Sequence, residues 1–447
     1  MPSLKLKAFQ EAGRDFLAGS RCAILADGLG LGKTPQAIMA ARALSARRIL
    51  VVAPLSTLPG LAGEIRRWWP ESPPIRIARR DQPLYDLPGW TLIPWTDLAL
   101  RRLDTLASAA ASPYDLAIAD EVHTARSVGL DGSKTANAWY GTRTDAGIAT
   151  IAPRTWGLSA TIMPNGRPIE LLPLFDWVDA FASGTARDRF MRKHCRRVTK
   201  FGSDMHGANH LDEIHAYLKR CGWYLRREPA DVPGELPDLQ RIPVPIPLAA
   251  QPAPVPGDPS PELPPDDVMP GLEDWSRTRA ALSLRKAPGA CVWLDDWLAS
   301  NPKQAIVMFT YHKGLAQWIA AHVGAAVLTG DDTPEHRQIE VDAFAKPDGP
   351  RVFVATMGAC GTGINGLHKR TTICAFAEFD CLPGTHDQAE GRVRRIGGIA
   401  GGAFAYYLHA QESALDAHVA NLLTRKRGWI DATLPADLTE EARALFA

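Results

Sequence analysis

Nothing in this sequence of 447 residues marks a secreted, membrane-spanning or disulfide-built chain. The seven cysteines are odd in number, scattered, and form no CxxC pair. That excludes a zinc ribbon or a disulfide scaffold and fits reduced thiols. No apolar run is long enough to cross a bilayer, so no membrane partner is expected. The first residues, MPSLKLKAFQ, hold no apolar core of a secretory signal. The expected compartment is therefore the cytoplasm, with association to a nucleoid or entry into a nucleus left open. No repeat of solenoid period is present. An excess of one charge is missing too: 50 Lys and Arg stand against 49 Asp and Glu, for a net charge of +1. Any surface for a polyanion must be a local stripe.

What is present is ordinary for a soluble globular protein, with 46% hydrophobic and 22% charged residues. The length allows two or three domains with cores of their own. Proline is concentrated between Ile242 and Gly271, in IPVPIPLAAQPAPVPGDPSPELPPDDVMPG. Each proline removes a backbone donor and biases its predecessor to extended geometry, so a helix or a central strand is excluded. Most of the stretch reads as a semi-rigid linker between two halves.

Both halves alternate short apolar runs with helical patterns. The first has Cys22–Asp27, Ile49–Pro54, Thr91–Trp95 and Asp115–Glu121, with helix-like stretches at Thr34–Ser45 and Leu58–Trp68. The second has Ala305–Phe309, Ala325–Gly330, Arg351–Thr356, Thr372–Ala377 and Ala403–His409. Strand and helix in alternation predict an α/β class with parallel sheets. Ligands of such sheets bind beyond the carboxyl ends of the strands.

The first run is followed by DGLGLGKT, Asp27–Thr34, and then a helical pattern. Glycines let the backbone amides turn toward phosphate oxygens, and the helix N-terminus adds its positive dipole end. Lys33 would reach the β- and γ-phosphates of ATP, and Thr34 would ligate Mg²⁺. Asp27 stands where the strict phosphate-loop pattern has its first glycine. A later run ends in Asp120-Glu121, followed by Val122-His123. Asp120 would hold the Mg²⁺ shell, and Glu121 would orient or deprotonate the attacking water. Taken alone, such a carboxylate pair is often only a helix N-terminal charge pair; its value comes from following a phosphate loop. Arg392 and Arg395 lie in QAEGRVRRIGG, and on a helix residues three apart share one face. Alone they read as a solvated basic helix. With the other motifs they become candidates to offset charge on the γ-phosphate.

The motifs DxxGxGKT, DEVH, LSATIMPNGRPIEL (Leu158–Leu171), GACGTGIN (Gly358–Asn365) and QAEGRVRRIG occur in one order. In this the chain resembles the Swi/Snf-type branch of helicase superfamily two, over nearly its whole length. The nearest likeness is to the annealing-helicase, fork-remodelling subgroup, carried also by LRRE (Leu225–Glu228) and DVPGELPDLQR (Asp231–Arg241). The resemblance implies two RecA-like domains in tandem: residues 1–180 as the ATP-binding domain and 273–430 as the helicase C-terminal domain. A helical subdomain at 181–241, the linker at 242–272 and a tail at 431–447 complete the expected organisation.

The resemblance also implies roles at matching positions. Gln10 would read the adenine edge. Asp27, Gly30, Gly32, Lys33 and Thr34 form the first motif, and Asp120 with Glu121 the second. Ser159, Ala160 and Thr161 would couple hydrolysis to domain movement. Gly361, Gly363 and Asn365 form the fifth motif; Gln388, Arg392 and Arg395 form the sixth, with the two arginines as fingers. DNA phosphates would meet amides and hydroxyls near Pro54, Ser56 and Thr57, near Thr96, near Thr310 and near Thr356, without reading sequence. The family usually has Glu where Gly28 stands, Gly-Thr-Pro where this chain has Ala160-Thr161-Ile162, Trp-Asn-Pro where it has Cys381-Leu382-Pro383, and Gln where it has Gly398. The stretch Thr124–Pro153 is longer than usual and is expected to be a surface loop.

Other clusters read more plainly. His194, Cys195, His206, His210, His215 and Cys221 show no finger spacing and fit ordinary residues of a helical subdomain. Met191–Lys200, MRKHCRRVTK, is either a DNA-backbone patch or a solvated helix face. Trp68, Trp69, Trp177, Trp293 and Trp297 are expected in cores. The expectation is a monomeric ATP- and Mg²⁺-dependent translocase on double-stranded or branched DNA. In it, ATP binds between the two halves, and closure brings in the arginines. Two other readings stay open. An RNA-directed DExH helicase is opposed by QAEGRVRRIG and LRRE. A nucleotide-dependent DNA-binding switch is opposed by the complete set of Lys33, Glu121 and Arg392.

Overall fold

The computed structural model describes residues 4–78, 87–126, 133–142, 146–199, 202–250, 275–361, 364–399, 401–410 and 412–434. Most of the proline-rich stretch, residues 251–274, lies outside them. The chain divides into two units, Met1–Pro233 with Arg427–Ala447, and Gly234–Lys426.

In the first unit, β1 (Cys22–Leu25), β2 (Arg48–Ala53), β3 (Ile75–Ile77), β4 (Gly89–Pro94), β5 (Leu116–Asp120) and β6 (Thr155–Leu158) build a parallel sheet. A short antiparallel ribbon, β7 (Arg197–Thr199) and β8 (Gly202–Asp204), stands apart. The sheet is closed on its far edge by β9 (Tyr224–Leu225), giving the order β3-β4-β2-β5-β6-β1-β9. Strands β2 and β4 are buried along their whole length, as a sheet covered on both faces requires. One covering core gathers Leu17, Ile38, Leu58, Ile65 and Trp156. The other gathers Trp95, Trp139, Ile148, Phe175 and Leu218.

The expected surface loop at Thr124–Pro153 is corrected here. Its described residues include a helix, Lys134–Tyr140, capped by the Ser133 hydroxyl. Trp139 and Ile148 are fully buried. Trp139 meets Trp95 and Trp177 edge-on at ring separations of 5.9 and 6.0 Å. A rich content of Gly, Thr and Ser set the expectation, but one large apolar side chain is enough to pin such a segment to a core.

The region after the first sheet is less uniformly helical than expected. Helices Gly184–Phe190 and Leu211–Arg220 flank a π-helical turn, Met191–Cys195, and the β7–β8 ribbon. Phe175 packs edge-on against Phe181, Phe190, Tyr217 and Trp223, which fastens this region to the first unit.

In the second unit, β10 (Leu239–Ile246), β11 (Ile306–Thr310), β12 (Val327–Leu328), β13 (Val352–Thr356), β14 (Ile373–Phe376) and β15 (Ala403–Ala410) form another parallel sheet, in the order β10-β15-β14-β11-β13-β12. Residues Ile242–Ile246, read from composition as the start of the linker, are instead the second half of β10. Among the described residues, the strand lies at the sheet's edge and pairs with β15 alone. Pro243 and Pro245 are two residues apart, so both missing N–H groups fall on the same side of the strand, where an edge needs none. At the other end of the chain, Leu434 is buried in the first unit's core with Ile430 packed against it, so the start of the expected tail is held by apolar contact.

Candidate functional site

The register of the first sheet brings four chain segments to one place. Leu25 of β1 pairs with Leu158 of β6 and with Leu225 of β9, while Asp120 of β5 also pairs with Leu158. The residues that follow these ends, beginning at Ala26, Glu121, Ser159 and Arg226, therefore leave the sheet side by side.

The glycine-rich loop follows β1. Gly30 and Gly32 have φ of 85° and 77°, a left-handed backbone that costs glycine little. Gly32 is the N-cap of the helix Lys33–Ala43 and offers no side-chain cap. Among the described residues, the amides of Gly30, Gly32, Lys33 and Thr34 donate to no group. Uncapped amides at a helix N-terminus make an anion site. The Lys33 ammonium donates to the Asp27 carbonyl at 2.7 Å. Burial pushes its pKa down, against the pull of Glu121, Asp27 and Asp120. The Gln10 side chain lies over this loop: its amide nitrogen donates to the Leu31 carbonyl at 3.0 Å, and a Cβ on Gly32 would come within 2.5 Å of it.

Asp27 does other work than its place in the motif implies. Its carboxylate is fully buried and accepts from the Arg227 guanidinium and from the Gln36 side chain at 3.0 Å. Arg227 is equally buried. Its carboxylate is thus taken up by this pairing, while its carbonyl accepts from Lys33.

Asp120 ends β5 and Glu121 follows it. The Trp95 indole donates to the Asp120 carbonyl at 2.8 Å. Burial pushes Asp120 up to about 7; the adjacent Glu121 carboxylate adds to this, and Lys33 opposes it. Glu121 has φ 51° and ψ 53°, a left-handed backbone that is strained for a residue with a Cβ. Such strain persists where surroundings hold it, and here they are visible. The Ser159 hydroxyl donates to the Glu121 carboxylate at 3.1 Å. His123 Nδ1 lies 2.7 Å from the same hydroxyl and 3.3 Å from both the carboxylate and the Thr161 hydroxyl. The Thr161 amide donates to Ser159 Oγ at 3.1 Å. The second and third motifs thus form one hydrogen-bonded group.

In the second unit, the helix Pro383–Val393 carries Gln388, partly buried, and Arg392. Arg395 lies beyond its end, because Arg394 turns to extended geometry. The expected shared helix face is thereby corrected. Both arginines nevertheless reach one loop: Arg392 donates to the Ile364 carbonyl at 3.0 Å and Arg395 to the Asn365 side chain at 2.8 Å. Gly361 ends a short helix, and Gly363 lies outside the described residues. The helix is anchored by Glu390, which takes two hydrogen bonds from Arg241 of β10, at 2.8 and 2.7 Å, and one from the Tyr407 hydroxyl at 2.9 Å.

The expected DNA contacts divide. Pro54, Ser56 and Thr57 sit at the end of β2 on a partly exposed 3-10 turn, with the Thr57 hydroxyl bonded to the Pro54 carbonyl at 2.7 Å. Thr96 is exposed in the first turn of the helix Trp95–Ala111. Thr310 and Thr356 face each other across β11 and β13, and both are buried. Thr310 donates to the His312 carbonyl at 3.1 Å. The amides of Tyr311 and His312 donate to Glu378 at 3.0 and 2.8 Å. A contact at Thr310 therefore meets groups already in use. In the basic stretch, Lys193 pairs with Glu213 and Arg197 with Asp204, while Arg192 and Arg196 are exposed.

Sequence reasoning missed Ser159's bond to Glu121, the carboxylate of Glu378, and above all Arg226 and Arg227. The last two stood only inside the LRRE likeness. Their contacts are 200 residues away in the chain, at Ala26 and Asp27, and no local pattern announces such a distance.

No family model matches the chain. It is similar to proteins named "SWI/SNF-related matrix-associated actin-dependent regulator of chromatin subfamily A-like protein 1". The one from Bos taurus is 28% identical over 92% of this chain and 43% of its own length. Those from Drosophila melanogaster and Caenorhabditis elegans are 26% and 25% identical, over 95% and 88% of this chain and 55% and 56% of their own. The chain spans about half the length of these curated relatives.

Proposed function

We propose that this chain, a Swi/Snf-type relative within helicase superfamily two, is an ATP-hydrolysing translocase on double-stranded or branched DNA. The observation that carries the reading is the hydrogen-bonded group of Glu121, Ser159, His123 and Thr161 beside an uncapped glycine-rich loop. A general base is useful only if it is held, and this one is held by residues of the motif expected to sense hydrolysis.

The loop amides of Gly30, Gly32, Lys33 and Thr34 would bind phosphate, with Lys33 supplying charge. Gln10, resting on the loop, would meet the adenine. Thr34 and Asp120 present the hydroxyl and carboxylate oxygens that a hard divalent cation takes, and a cation there would relieve the repulsion between Asp120 and Glu121. Bound Mg²⁺ would neutralise charge on the phosphate oxygens. Glu121 would orient the attacking water and take its proton, with Ser159 and His123 fixing its carboxylate. Arg392 and Arg395 would offset the developing charge. Contacts on the DNA backbone would fall near Pro54, Ser56, Thr57 and Thr96, and near Thr310 and Thr356. Rewinding, fork reversal or branch migration are the kinds of work such a motor would do. Among the described residues, no helix is long and apolar enough to cross a membrane.

The test is steady-state ATP hydrolysis without nucleic acid and with duplex, forked and single-stranded DNA and single-stranded RNA, at two salt concentrations. Duplex or forked DNA should stimulate turnover, and salt should weaken the effect. Glu121→Gln should lower turnover by about 10²–10⁴ and leave nucleotide-dependent DNA binding in place. Stimulation by RNA alone would favour an RNA helicase. A Glu121→Gln variant with unchanged behaviour would favour a binding switch.

A further inference from the structure

The segment Trp223–Glu228 runs along the back of the glycine-rich loop, and nothing in the expected motifs gives it a task. Its backbone accepts from Ile24, Ala26 and Gly28, through the carbonyls of Trp223, Leu225 and Arg227, each at 2.7 Å. The pairing of β1 with β9 thus continues into the loop itself. Two arginines leave this segment with different destinations. Arg227 is locked to Asp27. Arg226 goes the other way.

One nitrogen of the Arg226 guanidinium donates to the Ala26 carbonyl at 3.1 Å and to the Ala160 carbonyl at 2.9 Å. The other pairs with Glu228. Ala26 is the last residue before the glycine-rich loop. Ala160 lies between Ser159, which holds the Glu121 carboxylate, and Thr161. The Glu228 carboxylate needs space beside the loop, and Gly28 provides it: a Cβ there would come within 2.7 Å of Glu228 Oε2. The Arg226 side chain is 10% exposed, so its hydrogen bonds compete little with water.

We propose that Arg226 is a positioning residue that makes the start of the nucleotide loop and the Ser159–Thr161 segment move as one, with Glu228 as its anchor. The inference rests on the ATPase reading above. A guanidinium is planar and permanently charged, and its donors are fixed in direction. A shift of Ala160 relative to Ala26 must therefore strain one of the two bonds. Nucleotide occupancy at the loop then reaches Ser159, and through it the general base, without any contact between Arg226 and the reacting atoms.

The experiment is a double-mutant cycle in the full chain, reading kcat and KM for ATP with saturating duplex DNA, with thermal unfolding as a control. Arg226→Ala and Arg226→Lys should each lower kcat roughly tenfold or more while KM changes less than about threefold, because turnover and not binding loses its support. Arg226→Lys keeps the charge and loses the fork, so failure of Lys to rescue is part of the expectation. Combining Arg226→Ala with Ser159→Ala should lower kcat no further than the worse single change, since both break one path. Losses that multiply, or a KM that rises in step with the fall in kcat, would reduce Arg226 to a structural prop and overturn the proposal. Should Arg226→Ala fail to fold, Arg226→Lys and Glu228→Gln carry the same cycle. Wild-type turnover indifferent to all DNA would sink the translocase reading and leave the cycle readable on unstimulated kcat. A wild-type chain that does not hydrolyse ATP would overturn both.

Discussion

Asp27 opens the glycine-rich loop, yet its carboxylate belongs to the fold. It is buried with Arg227, and the Gln36 amide and the Arg227 backbone amide complete its hydrogen bonds. A buried ion pair is costly to break from one side, because the remaining charge loses its counter-ion and keeps only neutral partners, here the Phe9 carbonyl and the Gln36 side chain. Asp27→Ala should therefore lower stability by about 3–5 kcal/mol, read from chemical denaturation of the full chain. A change within measurement error would mean that Arg227 finds another partner. Glu121 shows the converse. Its left-handed backbone is a local expense that no packing argument requires, and the strain is offset by Ser159 and the bonds around it. One carboxylate is bound in a buried ion pair and the other is held by a serine hydroxyl, although both lie just past strand ends in recognisable motifs.

At the scale of elements, unbroken apolar runs bounded by turn residues revealed the long buried strands, and helix-like stretches such as Leu58–Trp68 stood out between them. Two short strands escaped. The segment TWGL of β6 has four residues, and β9 has two. Runs so short carry no period, and only pairing defines them. The helix Lys134–Tyr140 escaped because the surrounding composition is that of a loop. It is a structural part of the first unit, and Trp139 shows why. Trp139→Ala should cost about 3–5 kcal/mol of stability, the range for truncating a large buried aromatic, and a thermal or denaturant melt would show it. Loss of activity at unchanged stability would point instead to a functional role for this segment. Strand β10 teaches a related lesson: prolines exclude a central strand, and an edge strand satisfies the same rule.

At the scale of the molecule, two parallel sheets divide the motifs. The glycine-rich loop, Asp120-Glu121 and Ser159–Thr161 belong to the first unit, and Arg392 and Arg395 to the second. Turnover should then depend on the second unit more than nucleotide binding does. Arg392→Ala should lower kcat by about 10³ or more, the effect of removing a transition-state arginine, while affinity for nucleotide changes only a few-fold. Equilibrium binding of a fluorescent nucleotide beside a turnover assay separates the two. Equal losses in both would assign Arg392 to ground-state binding, consistent with a role confined to its contact with the loop at Ile364.

The identities and order of the motifs point to the class of chemistry proposed, because a lysine after glycines, a carboxylate pair and late arginines are needed as residue types wherever the chain places them. The sequence by itself also determined that the sheets would be parallel and buried, through unbroken apolar runs. Burial and pairing, by contrast, came from the tertiary structure. Asp27 turned to Arg227, Thr310 and Thr356 were buried, and Arg226 arrived from far along the chain to join Ala26 with Ala160. The reason is physical: a side chain's task depends on what burial and strand register set beside it, and neither is encoded within a few residues of its own position.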